Sequence, residues 1–162
     1  MRVTPHKTHP ITVIDNSLLK ILDSYLPQPP EKSIVVVTSK IISICEGRIV
    51  KKISDEQKDE LAEQEAEYYL PREQNQYHFL ISIKRNVMIA SAGIDESNGN
   101  GYYVLWPKDP QKSANKIREY LTRKYHLKHL WIIITDIYSQ ILKSVKWYKG
   151  QFIFLFCALL LC

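Results

Sequence analysis

Apolar residues first recur with helical spacing at Leu18, Leu19, Leu22 and Leu26, which predicts a helix over 18–26. Gln28-Pro29-Pro30 closes it, because proline has no N–H to donate and restricts the residue before it. Ser33-Ile-Val-Val-Val-Thr-Ser39 is a β-branched run and predicts a buried strand. Ser54 with Gln57 three positions on is a capping-box pattern, opening a helix that runs toward Tyr69 and stops at Pro71. Residues 77–83 and 87–92 read as two strands joined by a polar turn at Lys84-Arg85-Asn86. Asp109-Pro110 supplies an N-cap and a first-turn proline for a helix reaching about Lys124, with Ala114, Ile117 and Leu121 on one face. His129-Leu-Trp-Ile-Ile-Ile-Thr135 is a second buried-strand signature, with Asp136 at its carboxyl end. Strands interleaved with helices predict an α+β fold, a mixed α/β sheet with flanking helices.

Two stretches depart from this pattern. Residues 90–101, ASAGIDESNGNG, hold three of the five glycines, with Asp95, Asn98 and Asn100 among them. Glycine permits a positive φ and a close approach of backbone to a ligand. Residues 152–162 are eleven consecutive apolar positions. A membrane-spanning helix needs about 20, so this tail reads as a final core strand, as the stub of a larger body, or as residues after a disrupted frame.

Composition narrows the class. The 162 residues amount to about one ordinary domain. With 45% hydrophobic and 24% charged residues, the chain falls outside the disordered and fibrous classes. Three cysteines (Cys45, Cys157, Cys162) cannot all pair within the chain and lack metal-site spacing, which fits a reduced, intracellular compartment. The polar, basic first residues predict no signal peptide. The formal net charge of +5 is unevenly spread: Glu31–Glu73 carries ten acids, whereas Lys108–Lys149 carries ten Lys and Arg against three acids. The basic half suits a phosphate-bearing partner, although charge runs of this kind more often form solvated helix faces.

Candidate chemistry centres on Asp95 and Asp136, each placed where an apolar run gives way to a loop. Ligands collect at the carboxyl ends of parallel strands, and two carboxylates meeting there suit a hard divalent cation that also holds substrate phosphates. Aspartates at strand ends also serve simply as caps of turns and helices. Ser39, Lys40 and Arg48, after the first buried strand, are potential phosphate ligands without P-loop spacing. The five histidines form no HExxH pair, and no GxSxG occurs, so zinc hydrolysis and nucleophilic hydrolysis lack a motif. Tyr102, Tyr103 and Trp106 fit either a base-stacking surface or the core of a short strand.

Four segments, in order, resemble the coenzyme F-420:L-glutamate ligases (deazaflavin gamma-glutamyl ligases). They are His9-Pro10-Ile11-Thr12 with the following helix; Val36–Ser43 with Glu46-Gly47-Arg48; Ala92–Asn98 with Asp109-Pro110 and Ser113-Ala114 downstream; and Ile132–Asp136. The resemblance spans about Val3 to Asp136 and rests most specifically on the AGIDxSN segment. It implies joining L-glutamate in amide linkage to a carboxylate-bearing acceptor, coenzyme F-420 or a folate-like molecule, driven by GTP with magnesium or manganese. It further implies that Asp95 and Asp136 bind metal, that Asn98 contacts the nucleotide, that Ser39 and Lys40 lie at its phosphates, and that His9, Pro10, Ile11 and Thr12 form part of the nucleotide loop. No catalytic residue is singled out, and a cytoplasmic homodimer is implied. The chain departs from the family pattern at Ile44, where a lysine is usual, and at Ile137, where a hydroxyl ligand is expected. The resemblance therefore divides the chain into a truncated ligase-like amino-terminal domain, 1–145, and a divergent apolar tail, 146–162. Two other readings stay open: a non-catalytic remnant that binds nucleotide or dimerises, and a small basic nucleic-acid-binding module.

Overall fold

The computed structural model of the chain describes residues 2–76, 78–97 and 99–135, and the backbone of Phe154–Leu159. In chain order its elements are β1 (Arg2–Lys7), α1 (Leu18–Tyr25), β2 (Ser33–Thr38), α2 (Ser39–Cys45), β3 (Ile49–Lys51), α3 (Gln57–Glu65), β4 (Tyr68–Leu70), β5 (Ile81–Lys84), β6 (Val87–Ala90), β7 (Tyr102–Val104), α4 (Pro110–Tyr125), β8 (Leu130–Thr135) and β9 (Phe154–Leu159). The fold is mixed α+β, as the alternation of periods in the sequence predicts.

The main sheet is ordered β1-β9-β2-β8. β2 runs parallel to β8, with Ser33 opposite Leu130 and Thr38 opposite Thr135. On its other side β2 pairs antiparallel with β9, which also pairs antiparallel with β1. A strand from the apolar tail thus occupies an interior position of this sheet. Val35 and Val37 are fully buried and pack with Leu22 and Leu26 of the α1 segment, Ile42, Ile117 and Leu121 of α4, and Leu130. β8 is less enclosed than its composition suggests: only alternate residues turn inward, and Trp131 and Ile133 are 50% and 45% exposed. α4 packs against β8, and Leu130, Ile132 and Ile134 share the more buried of the strand's two faces.

Asp109 performs as its position predicts, its carboxylate accepting the Lys112 N–H at 3.0 Å to cap α4. The hairpin β5–β6 also follows the sequence, in shortened form. Arg85 and Asn86 have φ of 51° and 60°, the double left-handed geometry of a turn whose twist matches that of its strands. Two expectations are corrected. The helix opened near Ser54 ends at Glu65 rather than Tyr69, because Tyr68–Leu70 pairs with β5 instead. Only half of a capping box forms: the Gln57 N–H reaches Ser54 Oγ at 3.4 Å, while Gln57 Oε1 accepts the Ile53 N–H at 3.0 Å instead of that of Ser54. The second correction is α2, a helix directly after the predicted strand where no helix is predicted. Ile41, Ile42 and Ile44 carry β-branched side chains that weaken helix propensity, but Ser39 through Ile44 are all buried, and burial decides.

Two smaller clusters complete the core. Ala62, Leu80, Ala92, Ile94, Tyr103 and Leu105 pack beneath the small sheets, so Tyr103 is a core side chain, its hydroxyl donating to the Ser54 carbonyl at 2.8 Å. Ile11, Ile21, Ile41, Ile44 and Val104 form the other. No helix among the described residues is long and apolar enough to cross a membrane.

Leu22, 1% exposed, sits in the largest cluster, and truncation there leaves a cavity that the surrounding strands cannot fill. Leu22→Ala is expected to cost about 2–5 kcal/mol of unfolding free energy in urea titration. Ile14, 84% exposed, is the control, and Ile14→Ala is expected to stay within about 0.5 kcal/mol of the parent.

Candidate functional site

The cluster of Ile11, Ile21, Ile41, Ile44 and Val104 assembles the site, because its members neighbour the polar residues of interest. Ile11 precedes Thr12 and Ile41 follows Lys40. Val104 exchanges both backbone hydrogen bonds with Asp95, at 2.9 and 2.8 Å. Burying three apolar side chains from three distant segments therefore brings three polar segments to one place.

The first segment is the loop 9–16. Asp15 organises it: one carboxylate oxygen accepts the Thr12 N–H at 2.7 Å and the Thr12 hydroxyl at 3.3 Å, and the other lies 2.9 Å from His9 Nε2. A carboxylate only accepts, so Nε2 carries a proton, and in the neutral ring Nδ1 accepts from the Tyr25 hydroxyl 2.8 Å away. Burial pushes the Asp15 carboxyl up, but the Thr12 N–H and the His9 ring outweigh it and hold it below the ordinary aspartate value. Ile11 is 4% exposed and serves as the anchor, so its side chain is unavailable to a ligand. His9 and Pro10 are exposed, and Thr12 is half-buried.

The second segment is the junction of β2 and α2. Thr38 ends the strand, and Ser39 and Lys40 open the helix, both buried. The Thr38 hydroxyl oxygen is buried without a hydrogen-bond partner among the described residues. The third segment is the glycine-containing loop. Before it, Ser91, Ala92 and Gly93 all have positive φ, 47°, 50° and 74°. Left-handed geometry costs an L-residue about 1–2 kcal/mol, and here the Ser82 hydroxyl holds it in place, accepting the Ala92 N–H at 2.8 Å and donating to the Ile89 carbonyl. A Cβ on Gly93 would come within 3.0 Å of Ile89 and 3.2 Å of Trp106, so this position needs glycine for both backbone and space.

The turn delivers Asp95 into contact with Lys40. The Lys40 ammonium forms an ion pair with one Asp95 oxygen, and the two side chains are only 5% and 11% exposed. The other Asp95 oxygen accepts the Ser97 N–H and the Ser97 hydroxyl, each at 2.7 Å. Lys40 closes the ring by donating to the Ser97 carbonyl and to Ser97 Oγ, the latter at 3.2 Å. Charged groups this far from water persist only when paired and hydrogen-bonded, and here both conditions are met.

Of the residues singled out from sequence, Lys40 and Asp95 meet directly, and Ser39 adjoins them. Asn98 and Asp136 lie outside the described residues. Thr135, which precedes Asp136, stands opposite Thr38, which precedes Ser39. Arg48 is drawn elsewhere, its guanidinium 2.5 Å from Glu65 and its Nε donating to the Trp106 carbonyl at 3.2 Å. Cys45 is no nucleophile: burial pushes its thiol up to about 12. Several cations of the basic half are also engaged, Lys124 with Asp23 at 2.6 Å and Arg118 with the Leu130 carbonyl at 2.9 Å.

Sequence reasoning missed Ser97, Asp15 and Tyr25. Ser97 had a local signal, since a hydroxyl two positions after an aspartate commonly closes such a turn. Asp15 and Tyr25 had none. Among the described residues no group of three or more His, Cys, Asp or Glu is placed to hold a metal. Asp95 and Ser97 nevertheless offer hard oxygen donors, the type magnesium and manganese accept when phosphates complete the shell.

Removing one partner of a buried pair strands the other charge, so Asp95→Asn and Lys40→Met are each expected to cost about 3–5 kcal/mol in urea unfolding. The double variant is expected to cost less than the sum by about 0.5–3 kcal/mol, and strict additivity would show that the pair is not coupled.

Residues 10–147, most of the chain, match the family described as F420-0:Gamma-glutamyl ligase. The match begins at the Asp15-organised loop and runs through the Lys40 junction and the Asp95 turn. This chain therefore belongs to the F420-0:gamma-glutamyl ligase family.

Proposed function

We propose that the chain is a gamma-glutamyl ligase whose nucleotide and metal bind where the β2–α2 junction, the 9–12 loop and the Asp95 turn converge. The observation that carries this reading is the buried Lys40–Asp95–Ser97 ring. A lysine ammonium within reach of an incoming phosphate neutralises charge that develops in phosphoryl transfer, and a buried carboxylate beside it suits a divalent cation.

The reaction in this reading has two steps. A carboxylate oxygen of the acceptor attacks the γ-phosphorus of GTP, the bond from phosphorus to the bridging oxygen breaks, and GDP leaves. The amine of L-glutamate then attacks the acyl carbon, the bond to phosphate breaks, phosphate leaves, and the amine loses a proton as the amide forms. F420-0, the acceptor in the family's name, supplies the carboxylate, and a folate-like acceptor would present the same chemistry. Bound magnesium or manganese would neutralise phosphate charge, with Asp95 as a ligand from the described residues and Asp136 as its counterpart from the sequence motif.

The work of the chain's own residues is positioning. Lys40 moves its donors from Asp95 and the Ser97 carbonyl to phosphate oxygens, which frees the Asp95 carboxylate. Ser39 and Thr38 offer hydroxyl donors at the strand end, in the Thr38 case one with no partner among the described residues. His9 and Thr12, held by Asp15 and Tyr25, present the nucleotide loop in one conformation.

A ligand that binds only the folded chain stabilises it by about 2.7 kcal/mol at a hundred times its Kd. GTP with magnesium or manganese is therefore expected to raise the melting temperature by several degrees in differential scanning fluorimetry, and Asp95→Asn to abolish that rise. With F420-0 and L-glutamate added, phosphate release and a product heavier by one glutamyl residue are expected by mass spectrometry. No thermal response to any nucleoside triphosphate with metal would overturn the assignment.

A further inference from the structure

A second polar constellation lies apart from the Lys40–Asp95 ring. Glu65 of α3 receives both Lys84, from β5, and Arg48, and both cations converge on the same carboxylate oxygen. Lys84 is 9% exposed, so this is a charged group largely removed from water. Two cations therefore share one carboxylate oxygen in a poorly solvated place.

A cleft of about 500 Å³ opens over this point, with Arg85 and Lys108 on its exposed rim. The other two acids lining it, Glu46 and Glu67, keep their charge but are turned toward neutral donors. Glu46 spends its oxygens on the Lys108 backbone N–H at 3.0 Å and the Ser113 hydroxyl. Glu67 accepts the Arg85 backbone N–H at 3.0 Å. Among the described residues no carboxylate lies within ion-pair distance of the Lys108 ammonium, whereas Arg85 pairs with Asp109 at 3.7 Å and donates to the Lys108 carbonyl at 2.7 Å. Four cations thus face three carboxylates, so the lining residues carry one excess positive charge.

The cleft is also close to the proposed phosphate site. Val104 is bonded to Asp95, Leu105 donates to the Arg48 carbonyl at 2.9 Å, and Lys108 follows four residues after Val104. Four residues span at most about 14 Å of chain, which is within reach of a substrate that must present one end to a nucleotide.

We propose that this cleft is a carboxylate subsite of the same ligase, with Arg48 and Lys84 at its floor and Arg85 and Lys108 at its rim holding a carboxylate of a substrate. Arginine suits the task because its planar fork grips a carboxylate with two parallel bonds. The inference rests on the ligase reading for the identity of the ligand, since both L-glutamate and the acceptor carry carboxylates. It does not depend on the Lys40–Asp95 ring for its geometry.

The test is calorimetric titration of the full chain with L-glutamate and, separately, with F420-0, each with and without magnesium and a non-hydrolysable GTP analogue. Saturable binding of one of the two is expected, and it identifies which carboxylate the cleft takes. That affinity is expected to fall about tenfold in Arg48→Lys and several-fold in Lys108→Ala, with affinity for the GTP analogue unchanged. Lys108 carries an exposed side chain, so its variant keeps the fold, which a melting curve checks. If neither carboxylate binds, or if its affinity is the same in folded Lys108→Ala and Arg85→Ala, the subsite is overturned, whatever the nucleotide does. If the GTP analogue fails to bind while carboxylate affinity still depends on Arg48 and Lys108, the subsite stands and the nucleotide reading falls.

Discussion

A lysine and an aspartate buried against each other impose a demand on everything around them. Neither Lys40 nor Asp95 can be left alone in so dry a place, so the segments carrying them must meet with little tolerance. That requirement ties the main sheet, through β2 and α2, to the smaller sheets, through the Asp95 turn. The apolar cluster of Ile11, Ile41, Ile44 and Val104 supplies the attraction, and the ion pair supplies the register. Ser97 completes the arrangement by satisfying the second carboxylate oxygen and accepting from the ammonium. Without those bonds the ring would hold unpaired polar atoms, which are more costly there than in water.

The same ring explains how a fold can be prepared for a polyanion before one arrives. In the proposed function the Lys40 ammonium is held in position by the Asp95 carboxylate until a phosphate competes for it. In that reading, a phosphate that takes the ammonium leaves the carboxylate available to a cation. The positive-φ turn at Ser91–Gly93 serves that placement, because it aims Asp95 through backbone geometry fixed by the Ser82 hydroxyl. The Glu65 constellation places two cations, Arg48 and Lys84, on one acid.

What the sequence disclosed follows the range of the interactions involved. The Asp109-Pro110 cap, the two-residue turn at Arg85-Asn86 and the β-branched strands β2 and β8 are local matters, and their residues announced them. α2 was hidden because its isoleucines argue for a strand, and only burial on every side makes it a helix. The premature end of α3 was hidden because the competitor for Tyr68–Leu70 is a strand that lies beyond Pro71 in the chain. The exposure of Trp131 and Ile133 could not be read from composition, since which face of a strand is covered is decided by elements distant in the chain.

The site divides in the same way. The glycine-containing turn was visible, because glycine at Gly93 answers a backbone requirement that no other residue meets well. The pairing of Lys40 with Asp95 was not, since nothing near either residue names its partner. Asp15 and Tyr25, which fix His9, were silent for that reason also. The charge of the basic half was plain in the composition, yet its meaning changed once Arg118 and Lys124 were found to serve the fold.

The exchange at Lys40 can be observed directly. In a crystal structure of the chain grown with manganese and a non-hydrolysable GTP analogue, the account predicts an anomalous manganese peak with an Asp95 oxygen at about 2.2 Å. It also predicts the Lys40 ammonium within about 3 Å of a phosphate oxygen. Nucleotide bound with Asp95 still paired to Lys40, and no metal on that carboxylate, would contradict it.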